Sequence, residues 1–171
     1  MIKLKLSDDE LTEAIGYANS RNKKEKRFGS GTYRKDMTAI KAHTIGIVAE
    51  VAISKLFGVD FDRNVYKNHG DYGVDLVLPG IGSVAIKTTT YVDEPLLRAE
   101  VKHDKEKLAA YICCSVDPSD IKTIFFVGWV YREELIASPV RKLSRYGPQN
   151  YIVEEEDLRN PEELLKIAGR N

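Results

Sequence analysis

The strongest constraint on the fold is a pair of long apolar segments, residues 108–116 and 123–131, with one short break between them. The break, residues 117–120, reads Asp-Pro-Ser-Asp, which is the chemistry of a turn. Apolar runs of this length are typical of strands that are buried on both faces. The chain must therefore supply layers of structure on both sides of a sheet.

Ahead of these strands the apolar residues follow a helical period. Ser7 and Glu10 have the spacing of a capping box, which predicts a first helix that runs to about Arg21. Apolar residues then recur every three or four positions from 37 to 56. Gly58 is placed to end that second, longer helix.

After residue 60 the period changes to that of strands. Strands are predicted over 74–78, 83–91 and 96–101, with turn residues at 79–82. Later segments predict a helical turn at 133–135, an edge strand at 151–153 and a helix that begins at Pro161 and runs through Ala168. This order of elements predicts an α/β fold in which a mixed β-sheet is flanked by helices.

Length and composition narrow the class of protein. A chain of 171 residues favours one domain, in which 1–35 hold the N-terminal helix and a basic loop and 36–171 form the core. No apolar run approaches the ~20 residues of a membrane span and no secretory signal is evident, so we expect no membrane partner and a cytoplasmic location (the host cytoplasm if the source is viral). Cys113 and Cys114 are adjacent and should point to opposite faces of a strand, so neither a disulfide nor a zinc site is expected.

The charge balance is neutral overall but uneven along the chain. Basic and acidic residues number 26 each, yet seven basic residues and one acidic residue lie between positions 21 and 35. That segment also holds Phe28 and Tyr33, and a basic loop with aromatic residues suits the phosphate backbone of a nucleic acid. A solvated surface loop is the alternative, because Lys-rich loops are common. The candidate nucleic-acid-binding residues are Lys23, Lys24, Arg27, Arg34 and Lys35.

Alternation along the two predicted hairpin strands brings a carboxylate and an ammonium to one face. In 74–78 the residues Val74, Leu76 and Leu78 share one face, and Asp75 and Val77 lie on the other. In 83–87 Ala85 and Lys87 lie opposite the apolar residues. Cross-strand partners must lie on one face, so Asp75 is opposite Ala85 if Leu78 pairs with Gly82, or opposite Lys87 if the loop is longer. In either register Asp75 and Lys87 can reach one another or share a ligand; a plain salt bridge is the alternative.

Glu50 is the third charged group that needs an explanation. It is the only acid between positions 36 and 60, within the long predicted helix, and it shares a helical face with His43 and Gly46. A carboxylate beside an apolar stripe is costly unless it has a partner. A cation held jointly with Asp75 would be such a partner.

Three short segments in this order resemble the PD-(D/E)XK nuclease superfamily. They are Gly-Ile-Val-Ala-Glu-Val-Ala at 46–52, Asp-Tyr-Gly-Val-Asp-Leu at 71–76 and Val-Ala-Ile-Lys-Thr-Thr at 84–89. From position 46 to about 165 the chain is similar to small phage-type nuclease domains of that superfamily. The resemblance implies a restriction-endonuclease-like fold and metal-dependent hydrolysis of phosphodiester bonds, with DNA as the expected substrate.

The resemblance also implies a role for each site residue. Asp75 would be the central metal ligand, Glu50 a further ligand, and the backbone carbonyl of Ile86 would complete the protein's share. Lys87 would orient the attacking water and stabilise charge in the transition state. Hard oxygen ligands of this kind suit Mg²⁺ or Mn²⁺. Cleavage of two strands often needs two active sites, which is compatible with a homodimer.

Position 85 departs from the family pattern. The family has Glu, Asp or Gln two residues before the lysine, whereas Ala85 offers no ligand. Three explanations of Ala85 remain open. The alanine is an engineered inactivating change, or the chain has lost the activity naturally, or another residue supplies the carboxylate. Glu94 and Glu100 are the candidates for that residue. The alternative function is therefore a non-catalytic module with a nuclease-like fold that binds DNA or a protein partner. An assembly protein without nucleic acid is a third interpretation.

Overall fold

The computed structural model describes residues 1–25, 38–61, 73–104, 107–145 and 147–170. Its helices are α1 (Asp8–Glu25), α2 (Ala39–Phe57), α3 (Arg132–Ala137) and α4 (Pro161–Ile167). Its strands are β1 (Ile2–Lys5), β2 (Leu76–Leu78), β3 (Gly82–Thr89), β4 (Leu97–Glu100), β5 (Ala110–Val116), β6 (Thr123–Tyr131), β7 (Val140–Lys142) and β8 (Gln149–Val153). No helix in these described ranges is long and apolar enough to cross a membrane.

A five-stranded mixed sheet forms the centre of the fold. Its strand order is β1-β6-β5-β3-β2, in which β3 and β5 are parallel and the other neighbours are antiparallel. Strands β5 and β6 are the two long apolar segments, and every residue of β5 is buried. The predicted α/β fold with a mixed sheet flanked by helices is therefore confirmed, as is the burial of these strands on both faces.

A second sheet of three strands, in the order β4-β8-β7, lies over one face of the first. The sequence analysis did not separate this sheet from the first, and it missed β1 and β7. It also placed residues 151–153 in an edge strand, which is wrong, because β8 lies between β4 and β7. Strand β7 has no periodic signal to detect, since all three of its residues are exposed.

The two faces of the central sheet have separate apolar cores. Leu76, Leu78, Val84 and Ile86 join the first core, which helices α1, α2 and α4 cover. Ala85 belongs to the second core, between the two sheets. The predicted alternation is confirmed along Leu76–Leu78 and along β3, but the expectation that Val74 shares the face of Leu76 and Leu78 is wrong, because Val74 packs against the second core.

The adjacent cysteines show the same division. Cys114 lies in the first core and Cys113 in the second, and both are free thiols. Burial raises the pKa of Cys113 to about 12 and holds the pKa of Cys114 well above its usual value. Both thiols therefore stay protonated near neutral pH and act as small apolar side chains, as predicted.

Local capping sets the bounds of the two long helices. The N–H of Ser7 donates to Glu10 and the N–H of Glu10 donates to the Ser7 hydroxyl, which confirms the capping box. Gly58 ends α2 in the left-handed conformation with φ 60°, as its position predicted. The predicted end of α1 near residue 21 is wrong, because the helix continues to Glu25. Lys23 and its neighbour at 24 are thus helical residues and not part of a loop.

The C-terminal segment closes over strand β6. Trp129 and Arg159 form an isolated antiparallel bridge, and a Cβ atom added to Gly128 would lie only 2.6 Å from the Cβ of Leu158. Gly128 therefore permits an approach that a side chain would block. Trp129 is fully buried and its indole N–H donates to the carbonyl of Asn160, so it is a core residue.

Candidate metal and nucleic-acid site

The β2–β3 hairpin fixes the relation of Asp75 to the next strand. Leu78 pairs with Gly82 and Leu76 pairs with Val84, which is the first of the two registers considered above. Continued by one residue, this register places Asp75 opposite Ala85. Gly82 has a φ of 105°, a left-handed conformation that favours glycine at the start of β3.

Asp75 lies where the pairing of β2 with β3 ends. Its N–H donates to the carbonyl of Val84 at 2.9 Å, and the N–H of Ile86 donates to its Oδ2 at 2.6 Å. The carboxylate thus takes the place of the next main-chain acceptor along β2. Because the N–H and C=O of a strand residue point to the same side, the carbonyl of Ile86 also faces the side on which Asp75 lies. The Asp75 carboxylate and the Ile86 carbonyl are two hard oxygen donors at one strand edge.

Lys87 follows directly and lines a cavity of about 300 Å³ between the two sheets. The other lining residues are Thr88, Thr89, Leu96, Arg98, Ala99, Glu100, Tyr111 and Asn150. The cavity combines two cationic side chains with a carboxylate, hydroxyls and an amide. Concave sites that bring a few polar groups together are where ligands usually bind.

Glu100 is the carboxylate that shares this cavity with Lys87. It lies on β4, its side chain is 26% exposed, and its Oε2 is 3.2 Å from the Nζ of Lys102. Glu94, the other carboxylate considered as a replacement at position 85, is exposed and does not line the cavity. Of these two candidates, the structure brings only Glu100 into one cavity with Lys87.

The far wall of the cavity is held by a buried ion pair. The Tyr111 hydroxyl donates to Asp104 at 2.8 Å, and Arg132 donates to both oxygens of the same carboxylate. The Asp104 side chain is only 10% exposed, so the pair is screened little by solvent. This arrangement fixes the orientation of the Tyr111 ring beside Lys87.

Ala85 itself is fully buried. It has no exposed surface and packs in the second core, so the position that carries a carboxylate in the family is here an apolar contact. The departure noted in the sequence therefore extends to the packing around the residue.

Glu50 has a partner, and that partner is a guanidinium. Its Oε2 lies 3.7 Å from Nη1 of Arg21 on α1, and the two side chains are 14% and 11% exposed. Arg21 in turn lies 5.9 Å from the centre of the Phe61 ring. The expectation that this carboxylate needs a cation holds, but the contact seen is an ion pair between α1 and α2.

No group of three or more His, Cys, Asp and Glu residues is close enough to hold a metal ion within the described part of the chain. Asp75 is joined to Ile86 by a hydrogen bond and Lys87 is the next residue of β3, but Asp75 is not among the residues that line the cavity of Lys87, and Glu50 is engaged by Arg21. Mg²⁺ commonly uses only one or two carboxylates and completes its shell with water and phosphate. The Asp75 and Ile86 oxygens fit that requirement in type.

The basic segment is only partly visible. Lys23 and Lys24 lie in the last turns of α1, while Arg27, Arg34 and Lys35 lie outside the described residues. Their expected role in nucleic-acid binding stays a prediction. The first two residues of the family-like segment 71–76, Asp71 and Tyr72, also lie outside the described residues.

Sequence reasoning missed several residues of the cavity. Arg98 reaches it from β4 and Asn150 from β8, while Tyr111 belongs to a strand that looked like pure core. Alternation within β4, where Leu97 and Ala99 are buried and Arg98 and Glu100 are partly exposed, was the only available signal. That alternation does not say which sheet face the polar residues meet. No family model, curated protein or solved structure matches this chain.

Proposed function

We propose that this chain is a divalent-metal-dependent nuclease that hydrolyses phosphodiester bonds in DNA. The observation that carries the proposal is the hydrogen bond of 2.6 Å that the N–H of Ile86 donates to the Asp75 carboxylate. Ile86 lies in β3, one residue before Lys87. The family-like order of the segments at 46–52, 71–76 and 84–89 supports the same chemistry. The restriction-endonuclease-like ancestry is part of this proposal, as is a homodimer for double-strand cleavage.

Asp75 and the carbonyl of Ile86 would hold a Mg²⁺ or Mn²⁺ ion. When bound, the ion supplies charge neutralisation at the phosphate and lowers the pKa of a bound water. Hydrolysis then needs a group that orients the attacking water and one that stabilises the negative charge developing on the phosphoryl oxygens. Lys87 can donate hydrogen bonds to both from its place in the cavity wall.

Glu100 takes the part of the missing carboxylate in this proposal. It lines the same cavity as Lys87, so its charge acts on the same water and phosphate. The Thr88 and Thr89 hydroxyls line that cavity as well and can donate to phosphate oxygens. A cavity with Lys87 and Arg98 as cations and Glu100 as the anion suits a phosphodiester better than a neutral ligand.

The test is cleavage of supercoiled DNA with Mn²⁺ or Mg²⁺, and its arrest by EDTA. Asp75→Asn keeps an oxygen that can accept from Ile86 but removes the charge, so we expect a loss of activity of about 10²–10⁴-fold with an unchanged fold. Lys87→Ala should cause a similar loss, and Glu100→Gln a smaller one. Asp9→Asn and Lys166→Ala, both at exposed helix positions, are the matched controls.

Wild-type chain that cuts nothing with either metal, or cutting that survives Asp75→Asn, would contradict the proposal. Contaminating nuclease is recognised because it would survive every substitution.

The alternative is a non-catalytic DNA-binding or protein-interaction module of the same fold. The complete burial of Ala85 in the second core favours it. Such a module should retard DNA with a steep dependence on salt and with no requirement for metal. Metal-dependent cutting that is lost in Lys87→Ala would exclude it.

A further inference from the structure

The cavity that Lys87 lines has a neighbour. The second cavity, of about 440 Å³, shares Leu96, Arg98, Glu100 and Asn150 with the first. It extends toward the connection between β7 and β8 and is the more apolar of the two in its residues. We call it the outer cavity. The inference drawn from it rests on the proposed function and names the substrate class.

Tyr91 forms one wall of the outer cavity and is 50% exposed. Its backbone is held from both sides: its N–H donates to the Thr89 hydroxyl at 3.2 Å, and its carbonyl accepts from the Ser115 hydroxyl at 2.9 Å. An exposed aromatic ring on an anchored backbone loses little conformational entropy when a ligand stacks on it.

Arg98 lines both cavities, and the Cζ of its guanidinium lies over one face of the Tyr91 ring, 5.9 Å from the ring centre. A guanidinium on one face of an aromatic ring offers a cation for a phosphate, and the other face of the ring offers a surface for a planar ring. The phosphate and the ring of one nucleotide are adjacent in the same way. Arg98 and Tyr91 therefore match the phosphate and the base of one nucleotide, if that phosphate faces Lys87.

The remaining walls suit a planar heterocycle. Leu96, Leu143 and Pro148 supply apolar surface, and Leu143 is itself 50% exposed. Ser144 and Asn150 add groups that can hydrogen-bond to base edges. A base that is paired and stacked within a duplex cannot enter a cavity of this kind, whereas an unpaired base can stack on aromatic side chains.

We propose that the outer cavity binds an unpaired nucleobase next to the phosphate at Lys87, so that single-stranded DNA is the preferred substrate. Tyr91 supplies the stacking surface, and Arg98 holds the phosphate between base and catalytic cavity. The preference for single strands comes from the base and not from the backbone charge, which both DNA forms share.

The experiment measures binding by fluorescence anisotropy, using a labelled single strand and the same strand annealed to its complement. Binding is measured in EDTA for the full chain, and with Mg²⁺ in the Lys87→Ala chain, so that no cleavage intervenes. We expect tighter binding of the single strand. Tyr91→Ala should weaken that binding by about 5- to 100-fold, the range for loss of one stacked base, and leave duplex binding unchanged.

Two variants separate stacking from a general structural effect. Tyr91→Phe keeps the ring and should bind the single strand as the wild type does. Ile40→Ala removes a side chain of similar exposure, 52%, from α2 on the other side of the central sheet, and should change nothing. A single 2-aminopurine in the strand should lose fluorescence on binding to wild type but not to Tyr91→Ala.

Equal binding of single strand and duplex, or a single-strand preference that survives Tyr91→Ala, would overturn the inference. Failure of the proposed nuclease is distinguishable, because it shows as absent cutting with Mn²⁺ while the Tyr91-dependent binding persists. Cutting that is equally fast on both DNA forms, with binding independent of Tyr91, would leave the nuclease intact and remove only the base site.

Discussion

The two faces of the central sheet have different compositions because they meet different layers. The face toward the helices carries the first core, in which Ile47, Ile53 and Trp129 have no exposed surface. The face toward the second sheet carries the second core together with the cavities beside Lys87 and Tyr91. Lys87, Arg98 and Glu100 are the charged residues that line these cavities.

The layer that covers each face explains this difference. Helices α1 and α2 present apolar stripes that interlock with the sheet and exclude water, and their charged pair, Arg21 and Glu50, links helix to helix. The second sheet offers alternating residues, so Leu97 and Ala99 are buried while Arg98 and Glu100 remain for a ligand. The three-stranded sheet therefore packs against the central sheet through its buried residues and leaves cavities beside its partly exposed ones.

A carboxylate added at position 85 tests the face toward the second sheet, and it has the largest expected effect. Ala85→Glu should raise cleavage of supercoiled DNA by about 10²–10⁴-fold, because it adds a hard ligand and a negative charge near Asp75. The gain should vanish when Lys87→Ala is added. Ala85→Gln, which adds an oxygen without charge, should give a smaller gain.

Burial of Ala85 adds a control to that experiment. A Glu side chain at a fully buried site loses hydration, so the variant should unfold at a lower temperature than wild type. Folding must therefore be checked by circular dichroism at the assay temperature. Folded Glu and Gln variants that cut no faster than wild type would show that the absence of a carboxylate at position 85 is not what limits the rate of cleavage.

The helix face should respond in stability and not in binding. Ile53→Ala removes a fully buried side chain from the contact of α2 with the sheet, and large-to-small changes of this type cost about 2–5 kcal/mol of unfolding free energy. Urea unfolding measures the loss. Thr88→Ala, on the wall of the cavity beside Lys87, should lower stability by less than about 1 kcal/mol. Similar losses of unfolding free energy in Ile53→Ala and Thr88→Ala would contradict the view that one face serves stability and the other serves binding.

The smallest effect concerns the ion pair that ties α3 to the C-terminal segment. Arg159 donates to both oxygens of Glu134 and so lowers the pKa of that carboxyl. The Glu134 side chain is 40% exposed, so solvent screening limits the contribution to about 0.5–1 kcal/mol. We expect Glu134→Gln to lower stability by that amount at neutral pH.

The stabilisation by the ion pair of Glu134 and Arg159 depends on pH. A carboxyl with a lowered folded-state pKa stabilises the fold above its unfolded-state pKa, and the stabilisation is lost as the pH falls through the folded-state value. The difference between wild type and Glu134→Gln should therefore disappear in acid below the usual carboxyl range. A constant difference across that range, measured by urea unfolding, would show that the ion pair is not its source.

Local rules predicted the elements on which the proposed site stands. Alternation and turn chemistry left two registers for β2 with β3, both of which keep Leu76 and Leu78 on the core face, and the structure has the one in which Leu78 pairs with Gly82. Helical spacing and Gly58 gave α2 and its end. These features depend on neighbours in the chain, and sequence patterns carry such information well.

The side-chain contacts of the proposed site depend on partners that are distant in sequence. No spacing rule connects Glu50 with Arg21, which lies on another helix, or Lys87 with Asn150 on a strand of a different sheet. The fully buried environment of Ala85 likewise follows from the second sheet, which its short strands did not reveal. The hydrophobic pattern could name the core residues but not the layer that each one meets.

The pairing of β1 with β6 has a consequence for synthesis on the ribosome. Lys5 pairs with Thr123, and Leu164 of α4 packs into the same core that β1 helps to cover. The first strand made must therefore wait for most of the polypeptide before it finds its neighbour, and that core closes only after α4 has emerged. Contacts of such long range slow folding and leave apolar surface open meanwhile. A nascent chain stalled before residue 123 should thus be a good client for chaperones, whereas one released after residue 168 should not.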